Sequence, residues 1–306
     1  MWIVYILLGV FVNVLSIFLL SIRYKSILKH MGVRISAMRS FYLINICQFI
    51  NYVIPAKVGT VLARPLLTKI DTKAPIKKTF FAVMFEQVYE IGWELMMLPF
   101  IILAIGEKTL MGNFYLDFIL IGLLLLFISF TALKRDLLVS WAWKLKRIAP
   151  RGLKRRLKEK DMTKEKAKRI LDDFVRNLSD KALFSKMFLL TLASTLVLPI
   201  MLNASGAVFG VSIGYATAFL VFWASYILGR LSGLPGGIFV RDAATAGLLV
   251  MFGVDIIAAG QIVILFRLIS ISPLFLIGLP LFAYFGGRQA LKKLKSFSGG
   301  GKELKI

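Results

Sequence analysis

Long apolar runs alternate along this chain with short polar stretches. Residues 2–22, 80–105, 114–133, 187–205 and 256–285 each approach or exceed the roughly 20 apolar residues that a spanning helix needs. Two further apolar pairs, 41–54 with 58–68 and 215–234 with 237–252, are divided by a proline-led break instead of a polar loop. A helix of fourteen residues rises only about 21 Å against a hydrocarbon core of about 30 Å. The first pair is therefore expected as a re-entrant hairpin bent at Pro55. The second has longer arms, and is expected either as an equivalent hairpin bent at Pro235 or as two crossings that return to their starting side.

The breaks recur. Pro55 and Pro235 stand 180 residues apart, and the same offset pairs Gln87 with Arg267 and Gly106 with Gly286. The chain thus reads as one membrane unit used twice. Interruptions at corresponding places in two halves are the sequence pointer to a binding site in repeat-built transporters. The expected organisation is a first repeat with one extra spanning helix over 1–133, a basic linker over 134–186, a second repeat over 187–288 and a tail over 289–306. That tail is flexible by composition, through its run of glycines at 299–301.

Composition agrees with an all-α integral membrane protein: 58% of residues are hydrophobic and the mean hydropathy is +0.79. The net charge of +23 would suggest nucleic acid in a soluble protein. Here the basic residues crowd into stretches between apolar runs, where they set orientation. Residues 23–39, 69–78 and 134–186 are expected on the cytoplasmic side, and 106–113, 206–213 and 253–255 outside. The N-terminus is then outside the cell membrane and the C-terminus cytoplasmic. The two repeats enter from opposite sides, so they are inverted, each with a re-entrant hairpin. Basic cytoplasmic faces also attract anionic lipid, by about 1 kcal/mol per Lys or Arg. Within the linker, Ile170, Phe174 and Leu178 recur at helical spacing among charged residues, which suits a helix lying on headgroups, with a partner-binding helix as the alternative.

Candidate chemistry is confined to polar residues inside the apolar runs, which are costly there and mark function by default. Glu86, Glu90 and Glu94 fall on one helical stripe with Gln87 alongside. Three carboxylates need cations, and those at hand are Lys57, Arg64, Arg230, Arg241 and Arg267. The stripe reads as structural or gating ion pairs, as a proton or cation relay, or as a headgroup contact. Arg267 reads as a phosphate ligand or as a buried ion pair. The arm after each proline starts a helix whose free N–H groups attract anions. Gly236 and Gly237 admit close backbone approach there, with Asp242 beside them and Gly59 as a further hinge. The lone cysteine, Cys47, reads as a small buried hydrophobe, and His30 as a surface residue in a basic loop. No metal-ligand spacing is present, and no cofactor is expected.

At these residues the chain resembles the lysylphosphatidylglycerol synthase transmembrane, flippase-like family. The resemblance is carried by Pro55 with Gly59 and Arg64, by the helix with Glu86, by the run from Leu234 through Pro235, Gly236, Gly237 and Ile238 to Asp242, and by Phe266-Arg267-Leu268. Departures are Thr60 where the family often has an acid, Gln87 for an arginine, Phe239 for a glycine and Asp242 for a glutamate. The resemblance implies a protein that moves a lipid between leaflets, an anionic phospholipid or a lipid-linked sugar, without the soluble synthase domain. Lys57, Arg64, Arg241 and Arg267 would hold the headgroup; Glu86, Glu90, Glu94, Gln87, Arg230 and Asp242 would gate or pair with them. No catalytic residue is expected. The alternatives are a membrane subunit or scaffold for a separate lipid-modifying synthase or glycosyltransferase, and a membrane-embedded lipid transferase using the acidic stripe.

Overall fold

The computed structural model describes residues 2–54, 58–109 and 180–284. Pro55, Lys57, the expected span at 114–133, the linker as far as residue 179 and the tail lie outside the described residues. Those described are helical, with no strand among them. Two compact units are distinguished, one made of residues 1–90 and 185–306, the other of 91–184. The first draws on both ends of the chain, and the candidate site lies within it.

Helix α1 runs from Trp2 to His30. The end expected at residue 22 is corrected: the basic residues from Arg23 to His30 continue the helix. Helix α2, Ala37–Val53, starts at Ser36, whose side chain accepts from the Arg39 N–H, and ends at the first break. After it a π-helical turn, Gly59–Ala63, leads into α3, Arg64–Thr72, which stops where Lys73 takes a left-handed conformation before Pro75. Helix α4 is Ile76–Thr109. The expected helix at 187–205 is two, α5 (Lys181–Val197) and α6 (Ile200–Val208), because Pro199 interrupts it. Helix α7, Tyr215–Leu231, is followed by a tight turn at Pro235–Gly237 and by α8, Val240–Met251. Asp255 caps α9, Ile256–Pro273, by accepting from the Ile257 and Ala258 N–H groups. A second π-helical turn, Leu274–Gly278, and α10, Leu279–Tyr284, complete the expected last span.

Trp2–His30, Lys181–Val208 and Ile256–Tyr284 are each long and apolar enough to cross a membrane. The arms flanking the second break are shorter than expected, 17 residues for α7 and 12 for α8. They rise only about 26 and 18 Å. The order of elements repeats along the chain, and α4 at Ile76 and α9 at Ile256 start at the same 180-residue offset as the two prolines.

Proline breaks leave carbonyls without their helical donors, and in an apolar surrounding each must find another. The Thr195 carbonyl, four residues before Pro199, accepts from the Trp223 indole N–H of α7 at 3.1 Å. The Ile269 carbonyl, four before Pro273, accepts from Asn13 Nδ2 of α1 at 3.0 Å, and the Ser270 carbonyl accepts from the same group at 2.9 Å. Ser272 of α9 itself also donates to the Ile269 carbonyl at 3.0 Å, but Trp223 and Asn13 reach these gaps from other helices, so the breaks join helices together.

Helix α2 lies inside, with Ile46, Cys47 and Ile50 buried against Ala63 of the first π-helical turn. Its backbone is approached from two sides: a Cβ on Gly59 would stand 2.0 Å from the Cys47 carbonyl oxygen, and one on Gly278 2.9 Å from that of Asn45. Across the first break, Asn51 Oδ1 accepts from the Thr60 N–H at 3.0 Å while its Nδ2 donates to Thr60 Oγ1 at 2.7 Å.

Candidate functional site

The charged residues fall into two groups in the first unit, held in different ways. The first is centred on Glu86 of α4, whose side chain is 1% exposed. Its Oε1 accepts from Arg23 Nε at 3.2 Å and Nη2 at 3.0 Å, and its Oε2 from Arg64 Nη1. One turn on, Glu90 is 23% exposed and pairs with both Arg23 and Arg230, the latter at 3.6 Å. Gln87 donates to Glu90 Oε2 at 3.1 Å and accepts from Arg230 at 3.4 Å. The remaining nitrogen of Arg23, Nη1, donates to Thr191 of α5 at 3.2 Å. Arg64 also lies over the Tyr24 ring, its guanidinium carbon 5.3 Å from the centroid, and Tyr24 exchanges a 2.9 Å hydrogen bond with Thr68. Residues from α1, α3, α4, α5 and α7 thus share one buried ionic network.

Arg64, read both as a cation for the acidic stripe and as a headgroup ligand, is buried and engaged by Glu86. One sequence expectation is corrected by this network. Arg23, expected in a cytoplasmic loop, is buried and is the central cation of the acidic stripe. Glu94, the third member of that stripe, belongs to the second unit.

The second group is at the Pro235–Gly237 turn. Arg267 of α9 pairs with Asp242 at 3.3 Å and donates to the Gly236 carbonyl at 3.1 Å. Its guanidinium carbon lies 5.5 Å from the centroid of Tyr52, a residue of α2, and its Nη2 is buried without a hydrogen-bond partner. Tyr52 also meets the turn: a Cβ on Gly236 would be 3.0 Å from its ring. The tip of the second break thus rests against the end of α2. Arg241 of α8 lies among three rings, its guanidinium carbon 5.2 Å from the centroid of Phe222, 5.5 Å from Tyr226 and 5.1 Å from Phe266. Its Nε is buried without a hydrogen-bond partner among the described residues. Among the described residues no carboxylate approaches Arg241 within 4 Å. Gly229 and Gly237 make room for its stem, since a Cβ on either would stand 2.7 or 3.2 Å from that of Arg241. Gly236 and Gly237 both have positive φ, 59° and 67°, which any other residue adopts at a cost.

The turn also carries strain. Phe239 has φ 66° and ψ −54°, and the Val240 N–H donates to the Ile238 carbonyl at 2.9 Å, so the residue centres a rare positive-φ γ-turn. Its side chain is 77% exposed and makes no packing argument for the conformation. Asp242 Oδ2 accepts from the Phe239 N–H at 3.3 Å and helps hold the turn in place. Such strain costs of order 1–3 kcal/mol, of which glycine's larger unfolded-state entropy returns about 0.5–1 kcal/mol. Phe239→Gly is therefore expected to stabilise the protein by about 1 kcal/mol, read as a rise in melting temperature in detergent. A fall would show that no strain resides there.

Sequence reasoning had located Arg230, Arg241, Arg267, Asp242, Gly236 and Gly237, and the structure brings the last five together at one turn. It had not singled out Arg23, Thr191, Tyr52, or the rings around Arg241. The i, i+4 pair Phe222 and Tyr226 on α7 is a readable signal for a shared face, though one usually shown by core packing.

A sequence profile described as "Lysylphosphatidylglycerol synthase TM region" matches residues 1–278. A relative described as a UPF0104 membrane protein, from Methanothermobacter thermautotrophicus, is 33% identical over 97 residues, covering 32% of this chain and 29% of that protein. The matched segment is thus under a third of the relative's length. No solved structure matches the chain.

Proposed function

This chain belongs to the lysylphosphatidylglycerol synthase TM family and is a multi-pass membrane protein; from that premise we propose that it is a lipid translocase, moving an anionic phospholipid or a lipid-linked sugar between leaflets. The observation that carries the reading is the pair of arginines at the Pro235–Gly237 turn. Arg241 and Arg267 have between them only Asp242 as a carboxylate partner among the described residues, and each keeps a buried nitrogen without a hydrogen-bond partner. Unsatisfied cations in an apolar surrounding are costly, and an anionic headgroup would satisfy both.

The repeated order of elements supports two inverted repeats, and the short arms around each break support re-entrant hairpins whose tips meet near the bilayer midplane. Alternating access then exposes the turn to one leaflet and then the other. The Glu86 network acts as scaffold, while the more exposed pair of Glu90 and Arg230 sits where a gate would open. In this reading the N-terminus is outside, the C-terminus is cytoplasmic, and the chain carries lipid without modifying it.

The test is transport in proteoliposomes containing fluorescent phosphatidylglycerol, scored by the fraction quenched from outside. Wild type is expected to exchange the probe faster than empty vesicles, and Arg267→Ala to lose about tenfold of that rate, the worth of a charged hydrogen bond. If no anionic or glycosylated lipid moves faster than in empty vesicles, under either pH gradient, the reading fails.

A further inference from the structure

Glu86 and Phe266 stand at the same 180-residue offset that relates the two prolines, one on α4 and the other on α9. Both face arginines, and they hold them by different physics. Glu86 takes Arg23 and Arg64 with a carboxylate, one on each oxygen. Phe266 takes Arg241 with a ring, and Phe222 and Tyr226 of α7 add two more. The three rings form a set, since Phe222 and Tyr226 are parallel to within 6° and Phe222 meets Phe266 edge-on at 82°. A ring face attracts a guanidinium through its quadrupole but has no net charge. It therefore fixes the cation without neutralising it.

We propose that Phe222, Tyr226 and Phe266 are positioning residues which hold Arg241 uncompensated, so that its charge is kept for an anionic oxygen of the ligand. The inference deepens the headgroup reading of Arg241 and Arg267 and rests on it. The aromatic set and the close-fitting glycines act together: Gly229 and Gly237 fix the stem of Arg241, and the rings fix its head. At this offset the first half thus has Arg23 and Arg64 closed by a carboxylate, and the second has Arg241 held open by aromatics. A carboxylate at position 266 would rebuild in the second half the arrangement of the first, and close the site.

The probe is dioctanoyl phosphatidylglycerol, titrated into the full chain in neutral detergent and read by native mass spectrometry, with melting temperature measured alongside. Arg241→Ala is expected to weaken binding about tenfold or more. Phe266→Glu should weaken it as much while the melting temperature is held or raised, because Arg241 gains an ion pair. Phe266→Leu, which removes one ring at similar volume, should weaken it by about threefold. If Arg241→Ala binds like wild type, the headgroup reading itself falls. If Arg241→Ala loses binding but Phe266→Glu keeps it, the headgroup site stands and the role of the rings is overturned. Should Phe266→Glu not fold, Phe266→Leu decides: wild-type affinity overturns the proposal, and a threefold loss with unchanged melting temperature supports it.

Discussion

Replacing Glu86 by alanine is expected to remove about 3–5 kcal/mol of stability, the usual loss when one partner of a buried ion pair is deleted. The reason is the asymmetry of the network. Glu86 is the more buried of its two carboxylates, and both of its oxygens are occupied, one by Arg23 and the other by Arg64. Without it, Arg64 has lost its carboxylate and lies against Tyr24, while Arg23 keeps Glu90 as its one carboxylate among the described residues, with Thr191 beside it. Burying an uncompensated guanidinium is far costlier than losing one surface pair. The effect is measured by thermal unfolding in detergent, comparing Glu86→Ala with Arg64→Met and with the double variant. The double variant is expected to be less destabilised than the sum of the two, because it removes both charges at once. Strict additivity, or a loss below about 1 kcal/mol, would show that the network is not what holds these helices together.

Gly59→Ala is expected to be of similar severity, for a steric reason. The added methyl group would lie 2.0 Å from the Cys47 carbonyl oxygen and 2.9 Å from the Asn51 amide nitrogen, both backbone atoms of α2 that cannot rotate aside. Relief requires α2 and the π-helical turn to separate. That would part Asn51 from Thr60 and open the buried contact between Cys47 and Ala63. Overpacking typically costs 1–3 kcal/mol, and a clash against backbone at this distance belongs at about 3 kcal/mol or above. Gly92, beside which nothing among the described residues lies within 4 Å, provides the control. Gly92→Ala should leave the melting temperature unchanged or raise it slightly, since alanine favours helix. Equal melting temperatures for both variants would mean that the approach at Gly59 is not tight in the folded protein.

Much of the fold was legible because a membrane imposes a length and a proline imposes a break. The offset between Pro55 and Pro235 led to the repeated order of elements, and the stripe of Glu86 and Glu90 led to an ionic cluster. What escaped was whatever depends on partners distant in the chain. The first helix was expected to end at Ile22 because Arg23 is the first charge after an apolar run. Its partner, Glu86, lies 63 residues away, and no local pattern distinguishes a cation that is paired inside from one that faces water. The same blindness left Arg64 with two readings, partner of the acidic stripe and headgroup ligand: a candidate list of cations does not say which of them a carboxylate has engaged. The rings around Arg241 went unnoticed for the opposite reason. Phenylalanines are common in apolar runs, and only their arrangement about one guanidinium sets these apart.

The bond from Asn13 to the Ile269 carbonyl joins residues 256 positions apart. Chains enter a membrane from the N-terminus onward, so α1 must wait in lipid with a polar amide until α9 has been synthesised, inserted and bent at Pro273. Assembly of this unit is therefore completed only once α9 arrives. An interruption of synthesis before residue 256 leaves the first helix with an exposed amide group, a recognisable mark of an unfinished molecule for any quality-control factor that surveys polar groups within the bilayer.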